Sequence, residues 1–313
     1  MSLATFTPDT KTAADTLKTV RDFIRYAVSV FNEGEIFLGH GTFSPYDEAV
    51  FLVLEALKLP IEQLEPYLDA RLLPSERKRV AELIEKRVTT RKPVAYLVNK
   101  MYLQGTPFYV DERVIVPRSF IAELLFTDIA GDNDSRLIKD PFAVSRVLDL
   151  CTGSGCLAIL AAQAFPNATI DAVDLSPEAL EVAKINVSNS WVEDRITLYQ
   201  GDLFAPLGDA RYDLIITNPP YVDAEDMTDI PPEFTHEPRM ALAAGDDGMD
   251  VVRRIMDEAA DHLTADGHMV CEIGNGQAVV EELYPDTPFL WLDTETSSGE
   301  VFWLSRDQLL VRA

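Results

Sequence analysis

Hydrophobic residues in this chain change their spacing twice. Up to about residue 95 they recur every three or four positions, a helical period. Val50, Val53, Leu54 and Leu57 follow Ser44-Pro45-Tyr46-Asp47, and Val80, Leu83, Ile84 and Val88 follow Ser75-Glu76-Arg77. The first of these starts joins a capping serine, a proline in the first turn and an acid three residues on, and Pro60 closes the helix it opens. From Pro93 to Arg118 the apolar residues form short β-prone groups: Tyr102, Phe108-Tyr109-Val110 and Val114-Ile115-Val116. Gln104-Gly105-Thr106-Pro107 and Asp111-Glu112-Arg113 separate them, which predicts a hairpin. From Arg146 onward, short apolar runs alternate with helical patterns. Strands are expected at Val147–Leu150, Thr169–Leu175, Ile196–Gln200, Tyr212–Thr217, His268–Ile273, Phe289–Asp293 and Val301–Ser305. Helices fit at Gly155–Phe165, Pro177–Asn189, Gly248–Leu263 and Gln277–Leu283. Alternation of this kind predicts an α/β fold, a doubly wound and mostly parallel sheet with right-handed crossovers. The last two strands lie close together in the chain, so one is expected to run antiparallel at the edge. The resulting division is a small helical domain over 1–95, a linking β-hairpin over 96–118 and an α/β domain over 119–313.

Composition narrows the setting. The first thirty residues lack a basic segment followed by an apolar one, and no apolar run approaches the roughly 20 residues a membrane span needs. A cytoplasmic location without membrane partners is expected. Cys151, Cys156 and Cys271 have no C-x-x-C spacing, and the four histidines show no ligand spacing, so no metal is expected. The formal charge is −25, from 27 Lys+Arg against 52 Asp+Glu. Nucleic-acid binders rely on clustered cations to displace counterions from phosphates. This chain would be repelled by DNA or RNA and would attract a basic protein, although acidity also serves solubility or salt adaptation.

Chemistry concentrates at the strand ends of the α/β region. Asp149-Leu150-Cys151-Thr152-Gly153-Ser154-Gly155 follows its first strand and opens its first helix, where glycines let the backbone approach a ligand. Gly153-Ser154-Gly155-Cys156-Leu157-Ala158 also satisfies the G-x-G-x-x-A dinucleotide pattern, a weak signal by itself. Asp174, ending the second strand, is placed to bind ribose hydroxyls, which NAD and S-adenosylmethionine share. Asp149 would sit badly beside a pyrophosphate but could organise the loop around a cationic amino-acid tail. Asp202 is placed to accept from an adenine amino group, with Leu203 packing on the ring. The fourth strand ends in Asn218-Pro219-Pro220-Tyr221. Two prolines hold this segment extended, so the Asn218 side-chain carbonyl and the Pro219 backbone carbonyl can face outward as paired acceptors. Such a pair suits a planar NH2 group and stabilises the positive charge its nitrogen gains in attacking an electrophile. Tyr221 supplies an aromatic wall. If the first and fourth strands are neighbours, the glycine loop and Asn218 flank one crevice.

These residues resemble the protein glutamine N5-methyltransferases, the HemK-like family of class I methyltransferases. The likeness includes Asp149–Gly155, Asp174-Leu175-Ser176, Asp202-Leu203-Phe204 and Asn218–Tyr221. It continues through His236-Glu237-Pro238, Gly245-Asp246-Asp247-Gly248 and Glu272-Ile273-Gly274, covering roughly residues 20–306. Val116-Pro117-Arg118-Ser119-Phe120-Ile121-Ala122-Glu123-Leu124 looks like the branch acting on the third protein of the large ribosomal subunit, usually P-R-S-P-I-A-E-L, with Phe120 in place of its proline. The release-factor branch carries I-P-R-P-E-T-E there and is the first alternative. A nucleic-acid amino methyltransferase shares the acceptor logic but not the charge, and an NAD-dependent dehydrogenase leaves Asn218–Tyr221 unexplained. The resemblance implies S-adenosylmethionine as cofactor, a basic ribosomal protein as substrate, Arg118 near the cofactor and Asn218–Tyr221 on the glutamine. It implies no general base, because the nitrogen can lose its proton after methylation. The helical domain and hairpin would then choose the protein substrate.

Overall fold

The computed structural model describes residues 7–311, and over these the chain divides into two compact units. One unit takes the described residues through Met101 together with Pro231–His236; the other takes Tyr102–Ile230 and the remainder from Glu237.

The first unit is helical: α1 Thr10–Thr16, α2 Val20–Glu33, α3 Pro45–Leu57, α4 Pro74–Thr90 and α5 Val94–Val98. Helix α3 begins at Ser44, whose hydroxyl accepts the Asp47 N–H. Helix α4 begins one residue earlier than Ser75, with Pro74 in its first turn. Helix α2 starts with a capping box of Thr19 and Asp22. Val80, Ile84 and Val88 face the core, as their spacing requires. Arg87, also buried, binds Glu48, the Phe37 carbonyl at 3.0 Å and Glu233 at 3.4 Å. Glu233 in turn accepts the Phe37 N–H at 2.9 Å and pairs with Arg91 at 2.9 Å. Buried charges persist only when paired and hydrogen-bonded, so this cluster explains why Pro231–His236 belongs to the helical unit despite its place in the sequence.

Next in the chain is a short hairpin, β1 Met101–Leu103 and β2 Thr106–Phe108, of which all but Met101 belongs to the second unit. Val114–Val116, expected as a further strand, is irregular although Val114 and Val116 are buried. Its backbone bonds locally and to a side chain in place of a ladder: the Val114 N–H donates to the Asp111 carbonyl at 3.1 Å, and the Val116 N–H donates to the Glu237 carboxylate. After α6 Ile121–Leu124 the sheet begins. Its strands are β3 Arg146–Leu150, β4 Thr169–Asp174, β5 Ile196–Gln200, β6 Tyr212–Thr217, β7 Leu263–Glu272, β8 Leu290–Leu292 and β9 Val301–Ser305. Their order is β5-β4-β3-β6-β7-β9-β8. The five strands from β5 to β7 are parallel, and β9 pairs antiparallel with both β7 and β8, so the antiparallel strand sits one place inside the edge strand β8.

Helices α7 Cys156–Ala164, α8 Pro177–Asn189, α9 Asp250–Glu258 and α10 Gln277–Leu283 lie between the strands, and α11 Arg306–Leu310 closes the described chain. Helix α9 ends before the expected Leu263, and β7 starts five residues before the expected His268. Ala265-Asp266-Gly267 reads as a turn, yet Leu263 pairs with Tyr212 and the register shifts before His268 meets Leu214. Gly267 makes that irregularity possible, since a Cβ there would lie 2.8 Å from the Tyr212 carbonyl oxygen. Val147, Leu148 and Leu150 of β3 are all fully buried, as a strand covered on both faces must be.

Candidate active site

The site stands at the carboxyl ends of β3, β4 and β6, where the order reverses around β3. Leu150 is in register with Thr217, and the Thr217 hydroxyl donates to the Leu150 carbonyl at 3.1 Å. The residues following β3 and β6 therefore face one crevice, and Cys151, Gly153, Asn218 and Pro220 all line it.

The glycine loop divides into lining and support. Cys151 and Gly153 line the crevice with left-handed backbone, φ 58° and 55°. A side chain on Gly153 would meet nothing within 4 Å, which leaves that face open for a ligand. Thr152 and Ser154 are buried behind it: the Thr152 hydroxyl donates to Asp149, and the Ser154 carbonyl accepts from Asn186 at 2.9 Å. Gly155, at φ 78°, admits α8 closely, because a Cβ there would lie 3.2 Å from that of Ala183. The Asp149 carboxylate is fully buried. One oxygen takes Thr152 and the Ala158 N–H at 3.0 Å, while the other has no partner. Burial pushes its pKa up to about 7. A buried acceptor of this kind can take a cation.

Asp174 lines the crevice, fixed by the Gly153 N–H at 2.8 Å and the Ser176 N–H at 2.9 Å, and burial raises its pKa. Asp202 and Leu203 line the adjoining wall. Arg254 of α9 pairs with Asp202 at 2.8 Å and joins that wall, a residue whose helical, polar context carries no sequence signal. Arg113, Val114 and Ile115 also line the crevice, together with Pro238, Met240 and Ala241. Arg118 is not among the described lining residues; its guanidinium is bound in two places to Glu237, at 2.6 and 2.9 Å.

Pro219 is buried and, like Tyr221, is not among the described lining residues; the chain beyond Tyr221 is tied down by Val222, whose N–H donates to Leu242 and whose carbonyl accepts from Ala244, at 2.8 and 2.9 Å. Tyr221 packs on Gly274, where a Cβ would fall 2.6 Å from its ring, and a Cβ on Gly248 would meet its carbonyl at 2.3 Å. Burial, then the nearby Glu272, raises the Tyr221 pKa. Glu272, buried at the end of β7, accepts from the Ser119 hydroxyl at 2.6 Å and the Phe120 N–H at 2.9 Å, and burial lifts its pKa to about 7.

Asp174 at the crevice, the open face of Gly153 and the unpaired oxygen of buried Asp149 are compatible with a nucleoside joined to a cationic amino-acid tail. Fold and site thus define an S-adenosylmethionine-dependent methyltransferase, and the family model described as the methyltransferase small domain matches residues 125–247. The chain is 60% identical over 294 residues to the ribosomal protein uL3 glutamine methyltransferase of Bradyrhizobium diazoefficiens, covering 94% of this chain and 92% of that one. Proteins of the same description from Bordetella pertussis and Burkholderia pseudomallei are 54% and 52% identical, over 94% and 95% of this chain and 97% and 98% of theirs. The chain belongs to the family of ribosomal protein uL3 glutamine methyltransferases.

Proposed function

We propose that this protein methylates the side-chain amide nitrogen (N5) of a glutamine in ribosomal protein uL3. Bound S-adenosylmethionine supplies an electrophilic methyl group. The observation that carries the reading is the crevice shared by Gly153, Asp174 and Asn218, which gives a cofactor acid and an amide-gripping motif a common wall. Asp174 holds the ribose hydroxyls, Asp202 and Leu203 receive the adenine, and Asp149 organises the loop around the ammonium. The Asn218 side-chain carbonyl and the Pro219 carbonyl accept the two amide hydrogens, Pro220 keeps the segment extended and Tyr221 walls the planar group. An amide nitrogen is a poor nucleophile because its lone pair is delocalised; orienting it and stabilising its growing positive charge supplies what it lacks. The proton leaves after methylation, so no residue is assigned as base.

Charge supports a basic protein substrate and places its attraction. Residues 1–101 hold 14 Lys+Arg and 14 Asp+Glu, so the whole surplus of −25 belongs to residues 102–313. The acidic α/β region therefore draws in the substrate, while the neutral helical region reads its surface features. Such an encounter takes place in the cytoplasm. The test is mass spectrometry of free uL3 and of a release factor after incubation with the enzyme and S-adenosylmethionine. A single added methyl on one uL3 glutamine is expected; modification of the release factor alone would transfer the protein to the sister branch.

A further inference from the structure

Two stretches of the pocket lining come from distant parts of the chain, Arg113–Ile115 and the segment that carries Pro238, Met240 and Ala241. One buried carboxylate joins them. Glu237 immediately precedes the second stretch, and its side chain has no exposure to solvent. It accepts the N–H of Val116, the residue immediately after the first stretch, at 2.9 Å. The same carboxylate takes both terminal nitrogens of Arg118, and Arg118 closes the ring by donating to the Val116 carbonyl at 3.0 Å. A backbone N–H alone would leave a buried carboxylate short of donors and uncompensated in charge. The Arg118 guanidinium supplies two donors in the planar arrangement a carboxylate matches best, together with the counter-charge. Both terminal nitrogens of Arg118 are thus engaged by Glu237, and Arg118 is not among the described lining residues of the pocket.

We propose that Glu237 is a positioning residue of the cofactor site, which fastens the Arg113–Ile115 stretch to the one carrying Pro238, Met240 and Ala241, and that Arg118 acts through Glu237 without touching the cofactor. The inference rests on reading this pocket as the S-adenosylmethionine site. Binding of S-adenosylhomocysteine to the whole chain, measured by calorimetry, tests both separately: if the unmodified protein does not bind, the site reading fails. Given binding, Glu237→Gln and Arg118→Ala should each raise Kd about tenfold, within the coupling expected of one hydrogen-bonded network. Arg118→Lys, which keeps charge but loses the two-point contact, should fall between. The double variant Arg118→Ala with Glu237→Gln should bind no worse than about threefold below the weaker single, because both changes open the same fastening. Losses that multiply in the double variant would put Arg118 on the cofactor and overturn the proposal. So would an unchanged Kd in folded Glu237→Gln. If the single variants do not fold, Arg118→Met with Glu237→Gln removes both charges together, and that is commonly tolerated. Its Kd should then be raised about tenfold, on the same network argument, and a Kd equal to that of the unmodified protein would refute the role.

Discussion

Replacing Asn218 by alanine separates chemistry from folding. Asn218 lines the crevice, and its amide makes no hydrogen bond to the protein among the described residues. The segment is held instead by Thr217 on Leu150 and by Val222 on Leu242 and Ala244. Loss of the amide should therefore leave the fold unstrained, with a stability change within about 0.5 kcal/mol, as for substitutions away from packed or bonded groups. Cofactor affinity should also hold, because Asp174 and the Gly153 loop are untouched. The cost falls on the transition state: one preorganised polar group is worth about 10²–10³ in turnover, or roughly 3–4 kcal/mol. Asn218→Asp keeps an acceptor but adds charge beside the amide, so it should also lose turnover. The assay is single-turnover methyl transfer to uL3 at saturating cofactor, with melting temperature and S-adenosylhomocysteine Kd measured alongside. Near-normal turnover in folded Asn218→Ala would make Asn218 an ordinary turn residue, and a parallel loss of cofactor affinity would mean that it serves the cofactor.

Asp174→Ala should leave a folded protein whose S-adenosylhomocysteine Kd rises at least tenfold, roughly the 1.5–3 kcal/mol of a hydrogen bond to a charged group; unchanged affinity by calorimetry would remove the ribose assignment. Asp149 and Glu272 have folded pKa values of about 7, above the roughly 4 of unfolded carboxyls. Their contribution to stability is therefore complete below about pH 4 and is lost as pH rises towards 7. Denaturant unfolding across that range should show the decline, and Asp149→Asn should flatten part of it. If Asp149 meets the cofactor ammonium, binding near pH 6 should release protons, read from calorimetry in buffers of different ionisation enthalpy. Gly248→Ala should destabilise the protein and slow methyl transfer, since its φ is 76° and the new Cβ would press on the Tyr221 carbonyl; wild-type melting and rate would show that the approach relaxes freely. Methyl transfer to uL3 at subsaturating substrate should slow as salt screens the acidic surface beyond about 8–10 Å. A rate flat with salt would leave the acidity to solubility.

Part of the candidate site was legible in the sequence: Cys151, Gly153, Asp174, Asp202, Leu203, Asn218 and Pro220 line the crevice, and each belongs to a short motif at the end of a strand. Asp149–Gly155, Asp174, Asp202–Leu203 and Asn218–Tyr221 depend on local dihedral limits, turn chemistry and adjacency to an apolar run. Those forces act within a few residues, so a linear reading captures them. The β3–β6 crevice was only a condition in the sequence, and the strand order meets it: β3 and β6 are parallel neighbours. What escaped is what pairs across the chain. Periodicity does not show that Glu237 answers Arg118 and Val116, or that Arg254 answers Asp202. Nor does it assign Pro231–His236 to the helical unit through Glu233 and Arg87. Val114–Val116 has strand-like composition and β7 begins in turn-like residues, and in each the backbone partner decided the outcome: a carboxylate for one, Tyr212 for the other. Local propensity is worth tenths of a kcal/mol per residue, whereas an unpaired buried charge or backbone group costs several times that. Where the two disagree, the need to satisfy buried polar groups sets the conformation, and that need is defined only once the chain has folded.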